Sequence, residues 1–349
     1  MARTAQSAAG SELNASKTDE NLASHTLDSR LDSAFSTGSK PPAQNGYGED
    51  SPKHTPNIAP AQNPASPLNA THTQANHSPT KQASSMSSKH ALSDMSPFAK
   101  QCFEGKRFVI TGASSGIGAH IALTLNALGA EILALGRDRH KLESKRAKAL
   151  CKECFIPIVK DISDFCGLDK YTLNLAKEYG SFNGAVLSAG LQQTAPISSV
   201  LSVESARTIF DVNYFGNLQI LKGLLDKRAK SAEGASFVWI SSNASVKAQK
   251  GIANYSASKA AVVAATRSIA LEIAPKYRIN AISPGFVLTE MIEDWSKVYD
   301  SAYIESMESA YPLGIGRVED ISPLVCFLLS PASAWITGQN IVIDGGGSL

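Results

Sequence analysis

The stretch Arg107-Phe108-Val109-Ile110-Thr111-Gly112-Ala113-Ser114-Ser115-Gly116-Ile117-Gly118 decides the fold. An aliphatic run passes directly into a glycine-rich turn and then into an Ala/Leu-rich segment, which is the order strand, tight loop, helix. Working outward, the same alternation continues to the end of the chain. Strands are predicted at 107–111, 131–135, 155–159, 184–188, 236–240, 278–282 and 340–343, and helices at 116–128, 138–151, 168–179, 203–227, 255–274, 289–310 and 318–329. Strands separated by a dozen or more residues of helix pair in parallel through right-handed crossovers, and such apolar runs are buried on both faces. The fold class is therefore α/β, a doubly wound sheet of seven parallel strands with helices on both faces.

Upstream of this region the composition changes. Residues 1–96 are rich in Ser, Ala, Asn, Thr, Pro and His and keep no apolar period. Such a segment cannot bury enough apolar surface to offset its ordering entropy, so a disordered low-complexity tail is expected there, with one Rossmann-type domain at 97–349. Charge excludes a nucleic-acid surface: the tail carries seven Lys/Arg against eight Asp/Glu, and the body 26 against 23. Five of the seven histidines lie in the tail, leaving His120 and His140 in the body. Cys151 and Cys154 form a CxxC pair with Cys166 twelve residues on, but no second pair follows. No metal site is expected, and free thiols in a cytoplasmic protein are. Glu12, Asp19 and Glu20 argue against a transit peptide, and no run approaches the ~18 apolar residues of a membrane span.

Two constellations carry chemistry. In the Gly-x-x-x-Gly-x-Gly loop, Gly112, Gly116 and Gly118, with Ser114, Ser115 and Ile117 between them, let the backbone approach a pyrophosphate resting on the helix N-terminus. At the start of the helix predicted at 255–274, Tyr255 and Lys259 stand four residues apart, on one face. Reducing a ketone leaves an alkoxide that needs a proton, and a phenol of pKa ~10 is a slow donor near neutrality. A neighbouring ammonium favours phenolate and is expected to bring that pKa down.

With these motifs in order, the chain resembles the short single-domain branch of the short-chain dehydrogenase/reductase family, and within it the 3-oxoacyl reductases. The likeness runs from Lys106 to Asp344-Gly345-Gly346. It implies hydride transfer between a nicotinamide and a carbonyl or secondary alcohol, with Asn213, Ser242, Tyr255 and Lys259 as the catalytic set. Ser242, thirteen residues before Tyr255, would hold the substrate oxygen, with Ser241 the competitor for that role. Asn213 opens Asn213-Tyr214-Phe215-Gly216 and would bend its helix and hold a water that links the lysine to solvent. Asp161 would accept from the adenine amine, and Ala189 and Gly190 would leave room for the ribose. Pro284, Gly285, Val287 and Thr289 would meet the nicotinamide end. Assembly as a dimer or homotetramer is implied as well.

Two departures matter. Gly136-Arg137 stands where the family often has an acid after the second strand, so nothing repels a 2′-phosphate and Arg137 can pair with it. NADP(H) is expected over NAD(H). Leu187-Ser188 replaces a common Asn-Asn, which puts the polar support of that strand end in doubt. The competing readings are a catalytically silent dinucleotide-binding regulator and an NDP-sugar-modifying enzyme of the same superfamily. The expected partner is a small carbonyl or alcohol under a lid at 286–312, where Trp295, Tyr299 and Tyr303 mix with Glu290, Glu293, Asp294 and Glu305. No nucleic acid, membrane or metal is expected.

Overall fold

The computed structural model describes residues 98–99, 101–194, 197, 202–289, 306 and 309–349. The expected tail at 1–96, and most of the helix expected at 289–310, with Glu290, Glu293, Asp294, Trp295, Tyr299, Tyr303 and Glu305, lie outside the described residues.

Seven strands form one parallel sheet: β1 (Arg107–Thr111), β2 (Glu131–Gly136), β3 (Phe155–Val159), β4 (Gly184–Leu187), β5 (Ser236–Ile240), β6 (Arg278–Pro284) and, last in the chain, β9 (Asn340–Ile343). Their order is β3-β2-β1-β4-β5-β6-β9. Two further strands, β7 (Val287–Leu288) and β8 (Gly316–Arg317), pair in a short parallel ladder of their own, too short for any period to reveal. Among the described residues the α-helices are α1 (Gly116–Ala127), α2 (Arg139–Lys148), α3 (Leu168–Tyr179), α4 (Val203–Phe210), α5 (Asn217–Leu225), α6 (Ala253–Ile273) and α7 (Val318–Leu329).

Alternation along each strand splits the core in two. Phe108, Ile110, Ile132, Val238 and Ile240 pack on one face with α1, Leu142 of α2 and α7. Val109, Leu133, Leu135, Phe237 and Trp239 pack on the other with α3, α5 and α6. This is the expected two-sided burial of a parallel sheet. Because β1 pairs with β2 on one side and β4 on the other, the strand order reverses there. A crevice opens beyond the carboxyl ends at that switch point.

Two sequence readings need correction. The predicted helix at 203–227 is interrupted by a π-helical turn, Asp211–Gly216, between α4 and α5. The cysteines expected as free thiols are not all free: Cys151 and Cys154 are joined, with Cα atoms 5.2 Å apart. α2 stops at Lys148 and the chain doubles back before β3, held by Asn126, which accepts from Cys151 N at 3.0 Å and donates to Cys151 O at 2.9 Å. That turn brings the two cysteines together. Cys102, Cys166 and Cys326 are free. Among the described residues no helix is long and apolar enough to cross a membrane.

Candidate active site

The crevice encloses about 910 Å³. The β1–α1 loop forms one wall, with Gly112, Ser114, Ser115, Gly116, Ile117 and Gly118 all facing it. Two of the glycines are required by geometry. Gly112 has φ +68°, and a Cβ there would lie 2.9 Å from Ala189 Cα; a Cβ on Gly118 would lie 2.5 Å from Gly112 O. Ser115 caps α1 in extended conformation without a side-chain hydrogen bond, and no acidic residue occupies the first turn. The amides and dipole of the helix start are therefore left to an anion. A glycine cradle against an uncapped helix end suits the pyrophosphate of a dinucleotide.

At the end of β2 the wall is basic. Arg137, Arg139, Lys141 and Lys160 all line the crevice, of which the sequence reading had named only Arg137. Arg137 Nη1 lies 4.0 Å from Asp161 Oδ2, and Ser163 donates to Asp161 Oδ1 from its amide at 2.9 Å and its hydroxyl at 2.7 Å. Partial burial pushes the Asp161 carboxyl up, but these hydrogen bonds and the charges of Arg137 and Lys160 outweigh it and hold it below its ordinary value.

Ser242, Tyr255 and Lys259 converge on the opposite end. The two serines after β5 have separate tasks. Ser241 is buried and donates to Lys259 O at 2.8 Å, tying α6 to the strand end. Ser242 hydrogen-bonds the Tyr255 phenol. Lys259 Nζ donates to Ile240 O at 2.9 Å and lies 5.7 Å from the Tyr255 ring centre. Burial lowers its pKa to about 8. The expected depression of the Tyr255 pKa is not found. Burial raises it, and the hydrogen bond from Ser242 only partly opposes that. The reason is that the same enclosure disfavours phenolate and ammonium alike.

Asn213 sits in the π-helical turn, fully buried, and grips the chain after β4: Leu191 N donates to its Oδ1 at 2.8 Å and its Nδ2 donates to Leu191 O at 3.0 Å. Its amide also donates to Ser258 Oγ at 3.0 Å. Between them lies Gly190, where a Cβ would be 3.3 Å from both Asn213 Oδ1 and Lys259 Nζ. Ala189 and Gly190 line the crevice, as do Pro284, Gly285 and Thr289. Val287, next along, is buried against the core, and its strand pairs with Gly316–Arg317. His120 and His140 stay on α1 and α2, His120 with Nδ1 2.6 Å from Ser322 Oγ.

The missing Asn-Asn pair is resolved by residues the sequence reading passed over. Leu187 is core, and Thr111 Oγ1 accepts from Ser188 N at 2.9 Å and Ala189 N at 3.0 Å. Thr111 donates in turn to Asn217 Oδ1 at 2.7 Å. The only sequence signal for Asn217 is its place one helical turn after Asn213.

A parallel doubly wound sheet with a glycine cradle at its switch point, facing a Ser-Tyr-Lys set, is the frame of a dinucleotide-dependent oxidoreductase. The family model described as Enoyl-(Acyl carrier protein) reductase matches residues 112–348. The chain is similar to the 3-oxoacyl-(acyl-carrier-protein) reductase of Thermotoga maritima, 33% identical over 247 residues, covering 70% of this chain and 98% of the relative. It is also similar to the 2,3-dihydro-2,3-dihydroxybenzoate dehydrogenase of Bacillus subtilis, 33% identical over 264 residues, covering 70% and 97%. Among solved structures, a short-chain dehydrogenase/reductase of Brucella melitensis described as a glucose/ribitol dehydrogenase superposes with TM-score 0.66 at 29% identity, covering 72% of this chain and 100% of that one. The chain belongs to the short-chain dehydrogenase/reductase family, and family membership implies a nicotinamide dinucleotide as its cofactor.

Proposed function

We propose that the chain is an NADP(H)-dependent oxidoreductase that interconverts a small-molecule carbonyl and its secondary alcohol, with Tyr255 exchanging the proton. The observation that carries this reading is the convergence of Ser242, Tyr255 and Lys259 on one end of the crevice, with Lys259 buried 5.7 Å from the Tyr255 ring centre. When bound, the nicotinamide supplies the hydride for reduction or accepts it for oxidation.

The chain's own residues handle the oxygen and the proton. Ser242 donates to the substrate oxygen and holds it beside the phenol. In reduction the Tyr255 hydroxyl gives its proton to that oxygen as charge develops on it, and in oxidation the phenolate takes it back. Lys259, with a pKa of about 8, is mostly charged near neutrality and offsets the phenolate at the moment it forms. Asn213 keeps Leu191 and Gly190 in place against that lysine. At the other end, Arg137 with Arg139, Lys141 and Lys160 supports a 2′-phosphate, and Asp161 is placed to accept from the adenine amine. Pro284, Gly285 and Thr289 border the nicotinamide end. Family membership further supports a cytoplasmic enzyme that assembles from two or four copies.

The test is a panel of 3-oxoacyl thioesters, sugar-derived ketones and simple secondary alcohols, assayed with NADPH or NADH in reduction and with NADP or NAD in oxidation. Turnover of at least one member, with the phosphorylated cofactor bound more tightly, is expected. Failure of every member, or equal affinity for NADPH and NADH, would contradict the reading.

A further inference from the structure

Asn217, fully buried at the first turn of α5, joins three parts of the crevice floor with one amide. Its Oδ1 accepts from Thr111 at the end of β1 at 2.7 Å. Its Nδ2 donates to Ala189 O, just past β4, at 2.8 Å and to Val212 O, inside the π-helical turn, at 3.0 Å. Asn213 O lies 3.4 Å from the same nitrogen. The wider winding of a π turn changes the partners of its carbonyls, and a buried carbonyl without a partner is costly. Asn217 supplies the donor. One turn earlier, Asn213 holds Leu191 by both backbone groups. The two amides therefore fix Ala189 and Leu191 on either side of Gly190. Movement of Ala189 would pass directly to the glycine cradle, since a Cβ on Gly112 would lie 2.9 Å from Ala189 Cα.

We propose that Asn217 is a positioning residue for the dinucleotide, setting the height of the 188–190 floor between the glycine loop and Lys259. It takes the place of polar groups that β4 itself does not provide, because Leu187 points into the core. This rests on the crevice being the dinucleotide site. The experiment is a fluorescence titration of the full chain with NADPH, run beside a thermal melt. Asn217→Leu keeps the volume and removes the amide, and should raise Kd at least about tenfold, the scale expected when buried partners lose their hydrogen bonds. Thr111→Val, which keeps its shape, should weaken binding in the same direction, and Thr111→Ser should restore it. The double variant should bind no worse than the weaker single one, as members of one network do. An Asn217→Leu chain that is folded and has Kd within about twofold of wild type overturns the proposal. If that variant does not fold, Thr111→Val with an unchanged Kd overturns it. A wild-type chain that binds neither NADPH nor NADH overturns instead the functional reading of the crevice.

Discussion

At one end of the crevice Arg137 and Asp161 face each other at 4.0 Å with 69% and 46% of their side chains exposed; at the other, Lys259 and Asn213 are 4% and 0% exposed. Both ends lie beyond the carboxyl edge of one sheet, the first on the loops after β2 and β3 and the second on α6 and the π-helical turn, and they rest on different physics. An exposed ion pair contributes about 0–1 kcal/mol and is screened by salt, so Arg137 can leave Asp161 for a phosphate at little cost. Buried polar groups have no such freedom. Each is held by partners that would be left unsatisfied if it moved, and for Lys259 burial also lowers the pKa. The exposed end is suited to choosing a cofactor and the buried end to moving a proton.

That contrast can be broken or sharpened by experiment. The largest effect is expected at the buried end, where Tyr255→Phe removes one oxygen and should cost 10²- to 10⁴-fold in turnover, the usual range for general acid-base catalysis. Ser242→Ala should be somewhat milder, near the lower edge of the ~2.7 kcal/mol or more lost with one oxyanion donor, and read as a fall in kcat. At the exposed end Arg137→Ala should weaken NADPH binding by about 1.5 to 3 kcal/mol while leaving NADH nearly unaffected, with the gap narrowing as salt is raised.

Smaller still is a linkage effect at Lys259. Its folded pKa is lowered to about 8, whereas the unfolded chain keeps the proton to an ordinary 10.5. Between those values the unfolded chain binds more protons, so this group's contribution to stability rises with pH from about 8 upward. Tyr255, raised by burial, and Cys326, pushed up to about 12 by burial, act with the opposite sign at alkaline pH. The measurement is therefore the difference between wild type and Lys259→Met in denaturant midpoints. Wild type should gain on the variant as pH climbs, and a constant gap would contradict the burial of a charged lysine. Smallest of all is the effect of the tail: a chain beginning at Pro97 should keep the melting temperature and turnover of the full chain, and a loss above about 1 kcal/mol would show that the tail packs on the domain.

The frame of this molecule was legible because its signals are local. The strand and glycine loop at 107–118 and the period of α6 need only neighbouring residues to be read, and six of the seven sheet strands are placed to within one residue at both ends. What escaped the reading depends on contacts across the fold. The π-helical turn at Asp211–Gly216 interrupts a segment whose composition reads as one helix. Asn217 gains its meaning only from Thr111, which lies 106 positions away. The direction of the Tyr255 shift was misread because spacing places Lys259 nearby but says nothing of how deeply both are enclosed.

The central claim is that the two ends do separate work, and one crossed measurement tests it most directly: single-turnover NADPH oxidation and NADPH affinity, each determined on Tyr255→Phe and on Arg137→Ala with the best carbonyl found. The account expects Tyr255→Phe to lose at least about 10²-fold in rate with affinity nearly intact, and Arg137→Ala to lose affinity while keeping most of its rate at saturating NADPH. A Tyr255→Phe enzyme that retained more than about a tenth of the wild-type rate would contradict it.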